Sequence, residues 1–463
     1  MDRLISVKFN NIFLAIVIIA GLIALLNPSF VIGTTQAQYP YDGMDIYPKN
    51  NLNIQKIDCI NANINLDKLV LSQIPQETTG LTTIAAKETA NDESNSAYIH
   101  ARSDKGLRDK INLDKNFVNI CININKNNQQ IEDSPIINVM SWNNYLGADI
   151  SQIFLANTPE EFVTIVGETY NKIQESNYKE RANSIAEEIQ ETQPDLIGLQ
   201  EMSLLRTQTP SDGPTTPATT ISLDYLQILL DALNQRGLIY EPVVVQTAFD
   251  GEVPGLISGN LVDIRLTDRE VVLARADRDF TLSNIQGGQF DATFSVTTPF
   301  GSINIPRAWV SVDVTFDKGD KARFISTHLE PILHPQLSPI IQAQQADELL
   351  NGLGNTNLPV ILVGDFNSNA DGSGTPTYSK LIDAGFIDAW TIKGKGDGFT
   401  CCQAADLMNS DFSLDERIDL ILFRGDIKVN DIELVGNLQT DRTISGLWPS
   451  DHAGVVAKLT KTG

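Results

Sequence analysis

From Ile136 to the C-terminus the sequence predicts a layered domain of the α/β or α+β class. Three observations predict it. Apolar runs of strand length recur, amphipathic stretches with helical spacing separate them, and a few polar residue types stand where the strands run out. With 463 residues, 42% of them apolar, the chain suits one large domain plus an appendage.

At the N-terminus, Arg3 and Lys8 flank and precede the apolar stretch Ile12 to Leu26, which Asn27 and Pro28 interrupt. Thr35-Gln36-Ala37 resembles a small-residue cleavage site. Residues 1–37 are therefore expected to be a signal peptide, giving a secreted, extracytoplasmic protein. The alternative is an uncleaved anchor, although the apolar run is short for a comfortable span. Membrane contact is expected only through such an uncleaved segment, and no stable protein partner is expected.

Residues 38–133 have another texture, rich in Asn, Lys and Ser. They are expected to form a small β-rich accessory segment around a long mobile loop, "AAKETANDESNSAYIHARSDKGLRDK", with His100 at the surface. Cys59 and Cys121 lie in two similarly alternating stretches, expected to pair as strands and to be bridged. Adjacent Cys401 and Cys402 fit either a vicinal disulfide or two packed thiols.

Residues 134–463 carry the alternation. Strands are expected at "PIINVMSW", "DLIGLQEM", "REVVLAR", "AWVSVDVTF", "ARFISTHL", "LPVILVGDF", "RIDLILF" and "AGVVAKLT". Helices are expected at "RANSIAEEIQETQ", with Ile185 and Ile189 on one face, at "SLDYLQILLDALNQRG" and at "SPIIQAQQADELLNGLG". Ser222 and Ser338 are the expected N-caps, Pro339 the first-turn proline and Gly237 a helix stop. The Pro/Thr-rich stretch 206–220 reads as a surface excursion.

Asn143 follows "VMSW", Glu201 follows "LIGLQ", His328 follows "FIST", and Asp365 and Asn367 follow "VILVG". Asp419 stands near the start of "RIDLIL", and Asp451-His452 stands just before the last strand. Taken singly, each has an ordinary explanation as a turn or surface residue. Together they use two of only four histidines and place acids, amides and imidazoles at the ends of a rigid scaffold.

The series "VMSWNN", "DLIGLQEM", "ISTHLE", "VILVGDFNSNADG", "ERIDLILF" and "WPSDHAG" resembles the endonuclease/exonuclease/phosphatase superfamily, from about Ile136 to Leu459. The resemblance implies a four-layered sandwich of two mixed β-sheets flanked by helices. It implies hydrolysis of a phosphoester with Mg2+, Mn2+ being a substitute. It gives Glu201, Asn143 and Asp451 to the metal site, and Asp365 and Asn367 to the attacking water and the phosphate. His452 falls at the scissile phosphate and Asp419 behind it as the acid that orients the ring. His328 is similar to the second imidazole of the two-histidine branches, which include secreted deoxyribonucleases and sphingomyelinases. Arg269 is a weaker match to a phosphate-contacting arginine, and His334 is expected at the rim without a role.

Oxygen ligands suit magnesium, and a carboxylate beside an imidazole raises its pKa toward acid catalysis near neutrality. The expected function is a phosphodiester hydrolase, first of all a nuclease. The alternatives are a phospholipid, sphingomyelin or small-molecule phosphate hydrolase, and an inactive binding protein of the same fold. A formal charge of −24 excludes sequence-independent nucleic-acid binding through a basic face but not metal-assisted phosphate chemistry.

Overall fold

A computed structural model of the protein describes residues 136–316 and 319–462, together with the backbone of four strands between 54 and 103. The chain divides into two compact units, Met1–Ile131 and Glu132–Gly463. The expected signal peptide and Cys121 lie outside the described residues, and with Cys121 the expected Cys59 bridge.

In the first unit, β1 (Ile54–Cys59), β2 (Leu69–Ile74), β3 (Leu81–Glu88) and β4 (Ser96–Ser103) form an antiparallel sheet in the order β1-β4-β3-β2. The polar stretch expected as a mobile loop thus holds the end of β3 and all of β4. Within β4, Tyr98 and Ile99 are the residue types that favour a strand. His100 lies within β4, in register with Asp58 and Thr83.

The second unit is the four-layered sandwich. Its first sheet contains β5 (Ile136–Asn143), β6 (Leu196–Gln200), β7 (Leu204–Gln208), β8 (Thr220–Asp224), β9 (Tyr240–Ile257) and β10 (Asn260–Arg275). The second sheet contains β11 (Thr281–Gln289), β14 (Ala308–Thr315), β15 (Lys321–His328), β16 (Val360–Asp365), β17 (Ile387–Asp388) and β18 (Asp419–Arg424), and a separate hairpin pairs β12 (Phe294–Thr298) with β13 (Gly301–Ile305). β19 (Ile427–Val435) and β20 (Gly454–Lys461) return to the first sheet, whose order is β19-β20-β5-β6-β10-β7-β8 with β9 on the free edge of β10. The second runs β11-β14-β15-β16-β18-β17.

Both sheets are mixed because two connections are helical crossovers, which a parallel pair requires. β5 reaches its parallel neighbour β6 through α1 (Pro159–Glu175) and α2 (Tyr178–Thr192). After α3 (Tyr225–Gln235), β15 reaches β16 through α4 (Ser338–Asn351), and α5 (Thr377–Asp383) and α6 (Ala389–Lys393) complete the set.

Strand parity divides the core. Ile137 and Val139 of β5 meet Val310, Val312, Phe324 and Val363 between the sheets. Met140 and Trp142, of opposite parity, meet Ile185 and Ile189 of α2 on the outer face. Ser141 and Asn143 share the inward parity of Ile137 and Val139, so β5 delivers Asn143 to the open end of the sandwich.

Two expected caps are shifted. α3 begins at Tyr225 with Asp224 as its cap, because Ser222 belongs to β8. α4 begins at Ser338 itself, whose hydroxyl accepts from the backbone N–H of His334. Gly237 does close α3, with φ +75°. α1 was not expected; Thr158 caps it by accepting from Glu161, and Pro159 opens its first turn.

Candidate active site

Register brings the polar residues together. Asn143 stands opposite Gln200 across the parallel β5–β6 pair. His328 stands opposite Asp365, and Asp365 opposite Asp419, in a row across the second sheet. Two glycines permit the approach. A Cβ on Gly198 would stand 2.5 Å from the Ser326 hydroxyl of the facing sheet. Gly364 has φ +147°, and a Cβ there would collide with the Thr327 carbonyl. Asp365 therefore follows a bend that only glycine makes readily. Glu201 and Asn367, at φ +55° and +48°, also occupy the left-handed region, at a cost of order 1 kcal/mol each.

Asp365 is the centre. Its Oδ2 lies 3.0 Å from Asn143 Nδ2, 3.4 Å from His328 Nε2 and 3.9 Å from His452 Nε2. Its Oδ1 accepts from the Asn367 backbone N–H at 2.9 Å. Burial, and next the charge of Asp419, push its carboxyl up to about 7. His452 Nδ1 donates to Asp419 Oδ2 at 2.7 Å. Burial pulls this imidazole down, but the charges of Asp419 and Asp451 and the bond to Asp419 outweigh it, holding it well above the ordinary histidine value. Thr400 Oγ accepts from the Asp419 backbone N–H at 3.1 Å. Ser450 donates to the Asn143 carbonyl at 2.6 Å and accepts from the His452 N–H, fixing the turn before the ring.

The second imidazole sits in a different field. Arg307 Nη1 lies 3.4 Å from His328 Nε2 and 3.5 Å from its Nδ1. Glu270 Oε1 lies 3.9 Å from His328 Nδ1. Burial, with the cations of Arg307 and His452, holds His328 well below its ordinary value, so it is neutral. Glu270 is fully buried, and burial with the Asp268 charge raises its carboxyl well above the usual range.

The residues given to a metal divide. Glu201 Oε2 accepts from the Leu146 N–H at 2.6 Å, and its Oε1 lies 3.3 Å from Asn143 Nδ2. Asn143 turns its amide nitrogen toward Glu201 and Asp365, while its side-chain oxygen accepts from the Tyr145 N–H at 2.9 Å. It thus bridges the two carboxylates through its amide nitrogen, with its oxygen turned to the Tyr145 N–H. Asp451 lines the same cavity as Glu201. Burial, and then the negative charge of Glu201, raise Asp451 to about 7 against the pull of His452. The hard carboxylate oxygens of Glu201 and Asp451, whose charges repel each other, fit a divalent cation. Three groups of described residues have ligand atoms within 4.8 Å of one another: Asp365–Asp419–His452, Asp268–Glu270–His328, and Cys401–Cys402–His452, whose two sulfurs are bonded to each other.

A profile of the Endonuclease/Exonuclease/phosphatase family matches residues 170–452, more than half of the chain. The chain belongs to this family. Its members are hydrolases acting on phosphoester bonds, generally with a divalent metal, and the chain is a phosphoesterase of the family. No curated protein matches it. Among solved structures it is similar to an endonuclease/exonuclease/phosphatase family protein of Bacteroides thetaiotaomicron, at 18% identity and TM-score 0.46, covering 71% of this chain and 96% of that one. It is also similar to a mannosyl-6-phosphatase of the same species, at 18% identity and TM-score 0.44, covering 70% and 99%. A third is the human Nocturnin catalytic domain, at 18% identity and TM-score 0.40, covering 71% and 94%.

Several residues here escaped the sequence reading. Arg269, expected near phosphate, instead holds the Met202 and Ser203 carbonyls and pairs with Asp224 at 2.6 Å. Its neighbour Glu270 faces the site. Parity shows why: Val271 and Leu273 face the helices with Arg269, whereas Val272 and Ala274 face the other sheet with Glu270. Arg181, fully buried, donates to the Asn144, Tyr145, Ser176 and Pro449 carbonyls and locks the loops that carry the site. His334 has a local role, its Nδ1 accepting from the N–H groups of Gln336 and Leu337 ahead of α4. Cys401 and Cys402 are bonded to each other, and Cys402 lines the cavity.

Proposed function

We propose that the protein is an exported, Mg2+-dependent hydrolase of phosphodiesters, acting by in-line attack of water. One observation carries this reading: a single carboxylate, Asp365, lies within reach of Asn143 and two imidazoles of unlike charge, beside the Glu201–Asp451 pair. A base with a pKa near 7 and a hydrogen-bonded imidazolium are what water activation and leaving-group protonation need.

Asp365, oriented by Asn143 and the Asn367 N–H, takes the proton of the water whose oxygen bonds to phosphorus. His452, charged and held by Asp419, gives its proton to the leaving oxygen as the phosphorus–oxygen bond breaks. Neutral His328 and the Arg307 guanidinium face the non-bridging oxygens. Glu201 and Asp451 would hold the cation, which supplies Lewis-acid neutralisation of the phosphate charge. Asn367 lines the same cavity, its amide donating to the Leu329 carbonyl.

The breadth of the family puts a nucleic-acid strand first as substrate. Among the described residues lining the cavity, however, Arg307 is the only lysine or arginine. A strand carries a charge at every nucleotide and asks for several cations, whereas an isolated diester asks for one. That favours the second reading, a lipid or small-molecule diester.

Activity on bis(p-nitrophenyl) phosphate is expected to vanish with a chelator and to return with Mg2+ or Mn2+. Full turnover in the chelator would remove the metal from this reading. Export is supported by Arg3, Lys8 and the apolar run to Leu26, and predicts a mature chain beginning near Gln38 in the medium. N-terminal sequencing checks it.

A further inference from the structure

The cavity that contains Glu201, His328, Asp365 and His452 does not end with them. It measures about 490 Å³, within the range that encloses a small ligand, and continues into a gallery whose wall is mostly apolar, with Asp149, Ser151, Thr169 and Tyr170 among its polar members. Ile153 and Phe154 come from the 3-10 turn Ile150–Leu155, Val166 from α1, Phe249 and Val253 from β9, and Ile303 from β13. These elements supply none of the proposed catalytic or metal-binding groups.

We infer that this gallery is the subsite for an unbranched hydrocarbon chain esterified to the phosphate under attack. The substrate class is then a phosphodiester with one apolar arm and one charge at the scissile group. The inference rests on the phosphodiesterase reading above and deepens it. Its argument is continuity: the same cavity holds the groups that would cleave the ester and a predominantly apolar wall. A sugar or a second phosphate buried there would lose its water without replacement, which is costly. A methylene chain loses nothing and gains about threefold to fourfold in binding for each group removed from water. Charge points the same way: among the described residues lining the cavity Arg307 is the only lysine or arginine, and Glu330 already faces it at 3.5 Å, so little cationic surface is left for a second phosphate.

The test uses p-nitrophenyl alkyl phosphodiesters with methyl, butyl, octyl and dodecyl arms, kept below their micelle concentrations, with the full chain and Mg2+. Release of p-nitrophenol is followed, and kcat/KM is expected to climb by at least a hundredfold from methyl to octyl, mainly through KM. The unmutated protein alone decides the matter. Val253→Gln and Ile303→Gln are expected to flatten that climb and to leave the methyl ester's rate unchanged. Equal kcat/KM along the series would overturn the subsite and leave the phosphodiesterase standing. Failure to cleave any ester, with bis(p-nitrophenyl) phosphate also untouched, would overturn both. Single-stranded DNA cleaved more efficiently than the dodecyl ester would overturn the apolar arm in favour of a polyanion. Presenting the dodecyl ester in phosphatidylcholine vesicles separates the two sources of such a chain: faster cleavage there assigns it to a bilayer, slower cleavage to free amphiphile, and either keeps the subsite.

Discussion

His452 and His328 face the same carboxylate from two sides, and they are opposites. His452 stands in the turn before β20 with Asp419 bonded at 2.7 Å, and three carboxylates around it hold its proton. His328 ends β15, has the Arg307 cation against its ring, and is held neutral, with Glu270 at 3.9 Å. The comparison teaches that sequence similarity of two strand-end histidines does not give them one role. Their neighbours set the proton, and the neighbours come from other strands.

Unequal consequences should follow. His452→Ala removes the proton donor and is expected to lower kcat by about 10³-fold. His328→Ala removes a neutral contact and is expected to cost about ten- to a hundredfold. Equal losses in steady-state assays, with circular dichroism unchanged, would erase the distinction.

The acids behind the rings sharpen it. Asp419→Asn withdraws the charge that keeps His452 protonated, and kcat is expected to fall about a hundredfold. Glu270→Gln replaces a carboxyl already neutral by an amide of the same shape, and kcat is expected to stay within about fivefold. A larger loss in Glu270→Gln would mean that Glu270 is ionised and that the two dyads work alike.

The scaffold distinguishes the poles as well. Arg181 holds the Pro449 carbonyl in the loop before His452. Arg181→Leu leaves four buried carbonyls without their donor and is expected to lower unfolding free energy by about 2–5 kcal/mol in denaturant melts.

The smallest effect is a control on α2, in neither histidine's shell. Burial, then the charges of Asp441 and Glu191, raise Glu188 to about 8. Its folded pKa lies above its unfolded one, so its stabilising contribution is complete below about 4.5 and is lost as pH rises to about 8. Glu188→Gln should flatten thermal stability across that window and leave the activity ratio of the two histidine variants unchanged.

The sequence by itself determined the layered class, the strands that end in polar residues, and the chemistry those residues can do. Alternation and strand length are local properties, and "VILVGDFN" or "RIDLILF" shows them without any partner. Even Glu270 was legible in principle, because strand parity with Val272 gives its direction. Tertiary structure alone decided the rest. Burial and the Arg307 cation hold His328 neutral, and the apolar gallery is assembled from segments between Ile150 and Leu333. Proton affinity and cavity shape depend on distances through space, and those exist only once the two sheets have packed.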